Sequence, residues 1–101
     1  MNDGGSIMFQ YNPPHPGSFI KRTYLESFGL RSIEVANNLK VSPSTFSRLI
    51  NEKSAISPLM ALKLSKVLGR SAESWLTMQH NYDLWKVKAN INFQHYRPIK
   101  F

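Results

Sequence analysis

Residues 34–51 read EVANNLKVSPSTFSRLIN, and two helix signals meet inside them. Ser42 is a helix N-cap type, and Pro43 behind it suits the first helical position, where a missing N–H costs nothing. Phe46, Leu49 and Ile50 then recur at i, i+3 and i+4, the apolar stripe of a short helix. Upstream, Ile33, Val35, Ala36 and Leu39 supply the same pattern for a preceding helix capped by Ser32. Only residues 40–42 separate the two. Two short amphipathic helices joined by so brief a connection form a helix-turn-helix. Ala36 is small where the helices would cross, and Val41 fills the turn.

Working outward, Pro16 suits a first helical turn, and Phe19, Ile20, Tyr24, Leu25 and Phe28 keep helical spacing up to Gly29. Helix one is expected over 16–28. Ser57-Pro58 repeats the start signal of Ser42-Pro43, with Leu59, Leu62, Leu64, Val67 and Leu68 as the buried side and Gly69 as the stop. Ser71 caps a last helix carrying Trp75, Leu76, Met78, Tyr82, Leu84, Trp85 and Val87. The stretch NINFQHYRPIKF, 90–101, alternates enough for a short strand or an extended tail. The expected fold is all-α: a five-helix, repressor-like domain. The division is 1–15 as a flexible N-terminal arm, 16–88 as the helix-turn-helix and dimerisation domain, and 89–101 as a basic C-terminal tail. Met8 is an alternative start, with 1–7 then foreign to the protein.

A chain of 101 residues with 42% hydrophobic content suffices for one domain with a modest core. Cysteine is absent, which removes disulfides and thiolate metal sites and fits a reducing, cytoplasmic setting. No apolar run is long enough for a transmembrane helix, and no secretory signal is expected at the N-terminus. The net charge of +7 and pI near 10 point to an acidic partner, nucleic acid first among them.

The face of the third helix opposite its apolar stripe presents Ser44, Thr45, Ser47, Arg48 and Asn51. A recognition helix enters the major groove with its N-terminal residues toward the base edges. Short Ser and Thr side chains let it sit deep, and their hydroxyls both donate and accept. Arg48 is the one long residue there, suited to guanine O6 and N7. Lys40, Asn51 and Lys53 flank the helix where phosphates would lie. Spacing alone also admits a plain helix bundle with a solvated Ser/Thr face.

The order of motifs resembles the HigA antitoxins of bacterial toxin–antitoxin systems: HPG at 15–17, GL at 29–30, the 34–51 stretch, MALKLSKVLGRSAESWL at 60–76 and YDLW at 82–85. The resemblance covers about residues 12–88. It implies an all-α dimer that binds its own operator and neutralises a cognate HigB-like toxin, commonly a ribosome-dependent mRNA endonuclease. It places base reading on Pro43, Ser44, Ser47 and Arg48, and phosphate contacts on Ser32, Thr45, Asn51 and Lys53. Arg31 stands where many relatives have Ser or Thr, so either Ser32 caps or the helix starts later. Lys40 and Glu52 stand where glycine is usual. If Lys40 needs positive φ it carries a modest conformational cost, and Glu52 would repel phosphate if it faced DNA. Pro43 has no side-chain donor and offers a thymine methyl at most an apolar contact.

Trp75 and Leu76 are expected in the core. Met78, Tyr82 and Trp85 are expected at a twofold dimer contact, because the last helix is apolar over more than one face. His15, His80 and His95 are too scattered for a metal set, and Asp83 is placed to pair with His80. The last sixteen residues hold Lys86, Lys88, Arg97 and Lys100 and no acid; their interleaved apolar residues suggest packing against DNA or toxin. No constellation of acids and bases suits an enzyme, and no cofactor or small-molecule substrate is implied. The alternative to an antitoxin is a solitary repressor-type regulator without a toxin.

Overall fold

The structure, a computed structural model, describes residues 12–101; most of the expected arm, residues 1–11, lies outside the described residues. Five helices follow one another, with no strand among the described residues. Helix α1 begins at Pro16–Ile20 and continues without a break as a π-helical segment, Lys21–Ser27. Then come α2 (Ser32–Leu39), α3 (Pro43–Ile50), α4 (Pro58–Val67) and α5 (Ala72–Asn90).

Local chemistry explains most of the boundaries. Ser42, Ser57 and Ser71 each accept the N–H three residues on, at 3.0–3.1 Å, and so cap α3, α4 and α5. Helices α2 and α3 end alike. The Val41 N–H reaches Ala36 and the Lys40 N–H reaches Asn37; further on, in the same register, the Lys53 N–H reaches Arg48 and the Glu52 N–H reaches Leu49. These paired bonds are Schellman caps, which need a left-handed residue after the helix. Lys40 (φ 59°) and Glu52 (φ 62°) occupy those positions, so each carries a strain that glycine would not. At the end of α1, the Leu30 N–H reaches back to the Tyr24 carbonyl at 3.1 Å, and Gly29 (φ 72°) makes the turn.

The core gathers Ile20, Val35, Ala36, Leu39, Phe46, Leu49, Ile56, Ala61, Leu64 and Trp75. Every one of the five helices contributes. Phe46 and Trp75 are its largest fully buried members; truncating Phe46 to alanine would cost about 3–5 kcal/mol. Helices α1 and α3 approach closely. A Cβ on Gly17 would stand 1.7 Å from the Leu49 carbonyl oxygen, so only glycine lets the start of α1 lie against the end of α3.

Several sequence expectations are corrected. Arg31, not Ser32, is the N-cap residue of α2, and it makes no side-chain cap bond; Ser32 is already helical. Ile33 is exposed, as are Phe28 (70%), Leu59 (63%) and Leu62 (54%). In α4 the buried stripe runs through Ala61 and Leu64, which turns Leu59 and Leu62 outward. The wider turn of the π-helical segment rotates Phe28 away from the core, where it stacks on Tyr24 at 6.0 Å. The packed body starts earlier than Pro16, because Pro13 and His15 are buried. The last helix runs on to Asn90, and residues 91–101 are exposed. Within that stretch a single turn brings the Tyr96 N–H to the Phe93 carbonyl.

Candidate nucleic-acid interface

Helix α3 is held on its inner side by Phe46 and Leu49, while Pro43, Ser44, Thr45, Ser47 and Arg48 are all exposed. The Ser/Thr/Arg surface read from the sequence is therefore one continuous exposed face. Lys40 lies exposed in the turn before α3, and Asn51 and Lys53 lie exposed after it. Ser32 is exposed at the first turn of α2.

Hydrogen bonds divide these side chains into engaged and free. The Ser42 hydroxyl donates to Thr45 Oγ1 at 2.9 Å while accepting the Thr45 N–H. It also lies 3.3 Å from the Ser44 hydroxyl. The three hydroxyls form a ready-made cluster at the N-terminus of α3, where the helix dipole favours an anion. Asn51 donates to the Ser47 carbonyl at 2.8 Å and to the Ser47 hydroxyl at 3.3 Å, so its amide caps the helix end. Arg48 folds back toward the Lys53 carbonyl at 3.4 Å. That contact is long, so it holds the guanidinium only weakly.

The turn after α3 is held from behind by α5. The Tyr82 hydroxyl donates to Glu52 Oε1 at 3.3 Å, so this carboxylate is tied to the protein. The Ile56 N–H donates to Gln79 Oε1 at 3.0 Å, a buried bond, and Gln79 Nε2 donates to Asp83 Oδ1 at 3.0 Å. Asp83 is thus engaged by Gln79 rather than by His80. His15 closes the arrangement. Its Nδ1 accepts the Gly17 N–H at 2.9 Å, capping α1, and its ring meets Tyr82 edge-on at 4.9 Å. Burial holds the His15 imidazole below its ordinary pKa, against the pull of Glu52, Asp83 and the Ser54 backbone; Lys86 lowers it further.

Gln79, His15 and Gly17 were missed as contributors. A His before Pro-Gly is a readable capping signal, since an imidazole nitrogen accepts as a serine oxygen does. Gln79 has no such local sign. Of the three expected dimer residues, Met78 packs at the core margin and Tyr82 is taken up by His15 and Glu52. Both are half-buried, while Trp85, 36% exposed, lies beside the exposed Leu84 and Val87. Among the described residues, no helix is long and apolar enough to cross a membrane.

The family model for helix-turn-helix domains matches residues 21–75, the span from the second half of α1 to Trp75. Virulence-associated protein A of Dichelobacter nodosus is 42% identical over 88% of this chain and 87% of its own length. Antitoxin HigA-1 of Vibrio cholerae is 37% identical, with 75% of this chain and 71% of that protein covered. Among solved structures, the Pseudomonas aeruginosa antitoxin HigA, determined with the higBA promoter, superposes with a TM-score of 0.76. It is 31% identical and covers 87% of this chain and 96% of its own. A helix-turn-helix regulator with this helix order is not an enzyme; the chain belongs to the helix-turn-helix transcriptional regulators and, within them, to the HigA antitoxins.

Proposed function

We propose that the protein is a dimeric antitoxin that represses its own operon and neutralises a cognate HigB-like mRNA endonuclease in the cytoplasm. The observation that carries the DNA half is the exposed face of α3: Ser44, Ser47 and Arg48 toward the bases, with Pro43 against a thymine methyl at most. The Ser42–Ser44–Thr45 hydroxyl cluster, Ser32, Lys40, Asn51 and Lys53 lie around it for the phosphates. The promoter-bound relative supports operator DNA as the ligand. Two such helices, about 34 Å apart, would read a palindrome.

The dimer contact we place on the outer stripe of α5, at Leu84, Trp85 and Val87, since Met78 and Tyr82 are used within the protomer. The toxin reading follows the HigA relatives. Co-expression with the adjacent open reading frame tests it. Co-purification and rescued growth are expected; a neighbour that neither binds nor harms growth would leave a solitary regulator.

A further inference from the structure

Among the described residues, His15 and Gln79 are the two buried polar side chains; Gln79 serves the turn that follows α3, and His15 caps α1 and packs against Tyr82. Gln79, 3% exposed, stands on the face of α5 that also carries Tyr82 and Asp83, three and four residues on. Its Oε1 takes the Ile56 N–H and its Nε2 is anchored on Asp83. Tyr82 takes Glu52 at the other end of the same turn. Helix α5 therefore grips this turn at both ends, and the exposed Lys53 lies between the two grips.

We infer that Gln79 is a positioning residue for the DNA backbone grip. Through Ile56 it fixes the path of the chain from Glu52 to Ser57, and so the place from which Lys53 meets a phosphate. The inference rests on the DNA-facing reading of α3. Its chemistry is specific: one amide must accept from the turn and donate to Asp83 at once, which fixes its orientation. A hydrophobic side chain of equal length fills the space and does neither.

The test is fluorescence anisotropy on the duplex from upstream of the protein's own gene, over a series of salt concentrations, with thermal melts as the check on folding. Gln79→Met should lose about tenfold in affinity. Its salt slope should fall by about 0.9 per half-site, the signature of one lost phosphate contact. Gln79→Glu keeps the acceptor but faces Asp83 with a like charge, and should be similarly weak. Adding Asp83→Asn lets the introduced carboxylate accept from Ile56 and from the introduced amide, and should restore affinity to within about twofold. A merely structural role would lower the melting temperature and leave the slope of the folded protein unchanged. Should Gln79→Met not fold, the single and paired Glu variants carry the comparison. A wild-type slope and affinity in Gln79→Met, or a paired variant as weak as Gln79→Glu, would overturn the inference. A wild-type protein that ignores the duplex overturns the DNA reading itself, and this inference with it.

Discussion

The Tyr82 hydroxyl donates to Glu52 Oε1 at 3.3 Å, joining the middle of α5 to the left-handed residue that ends α3. The carboxylate sits beside the helix proposed to face DNA, yet the bond gives it a role inside the protein. It is exposed, so the contact is worth little to stability: Tyr82→Phe should cost about 0.5–1 kcal/mol in a denaturant titration. The charge matters more. Glu52→Gln keeps an oxygen for Tyr82 and removes a repulsive charge near the phosphates, so it should tighten DNA binding several-fold at low salt. The gain should fade as salt rises.

Gly17 should tolerate no side chain. A Cβ there meets the Leu49 carbonyl at 1.7 Å, and backbone cannot rotate away as a side chain does. Gly17→Ala should cost roughly 3 kcal/mol, the upper range for overpacking. The loss is readable as a fall in denaturation midpoint without a change of slope.

Lys40 presents the opposite case. It holds φ 59° at the cap of α2, where glycine would be unstrained. Lys40→Gly should raise stability by about 0.5–1 kcal/mol, after the entropy cost of glycine in the unfolded chain. It should also weaken DNA binding through the lost cation, and that opposition between melting temperature and affinity is the check.

His15 makes stability depend on pH. Its folded pKa lies below the ordinary 6.5, so the unfolded chain takes up the proton first. The stability it contributes is fully present above about pH 6.5, falls as pH drops through that value, and levels off below the folded pKa. Protonation also costs Nδ1 its acceptor role toward Gly17. Melting temperature should therefore decline from about pH 7.5 to about pH 5.5. His15→Asn, a capping residue that does not titrate, should flatten that decline.

Much of this architecture was legible in residues 34–58, because serine-proline starts and i, i+3, i+4 stripes are local chemistry. Ser42-Pro43 and Ser57-Pro58 start α3 and α4, and Phe46 and Leu49 are buried as their spacing requires. What escaped was set by tertiary contact. Leu59 and Leu62 belong to an apolar helix whose inward phase is chosen by Ala61 and Leu64. Phe28 is turned out by a π-helical segment that no spacing rule announces. Around the surface proposed to face DNA, the exposure of the α3 residues was readable and their support was not. Gln79 and His15 are polar residues whose burial depends on a turn more than twenty positions away.

The central claim is that α3 reads bases through Arg48 while Lys53, in the turn after it, grips phosphate. The direct measurement is the binding of Arg48→Ala and Lys53→Ala to a panel of single-base variants of the upstream duplex, at two salt concentrations. Arg48→Ala should lose about 1–3 kcal/mol of discrimination at one position per half-site. Lys53→Ala should weaken every duplex alike, with a shallower salt slope. If Arg48→Ala keeps the wild-type preference at every position, α3 is not the reading helix.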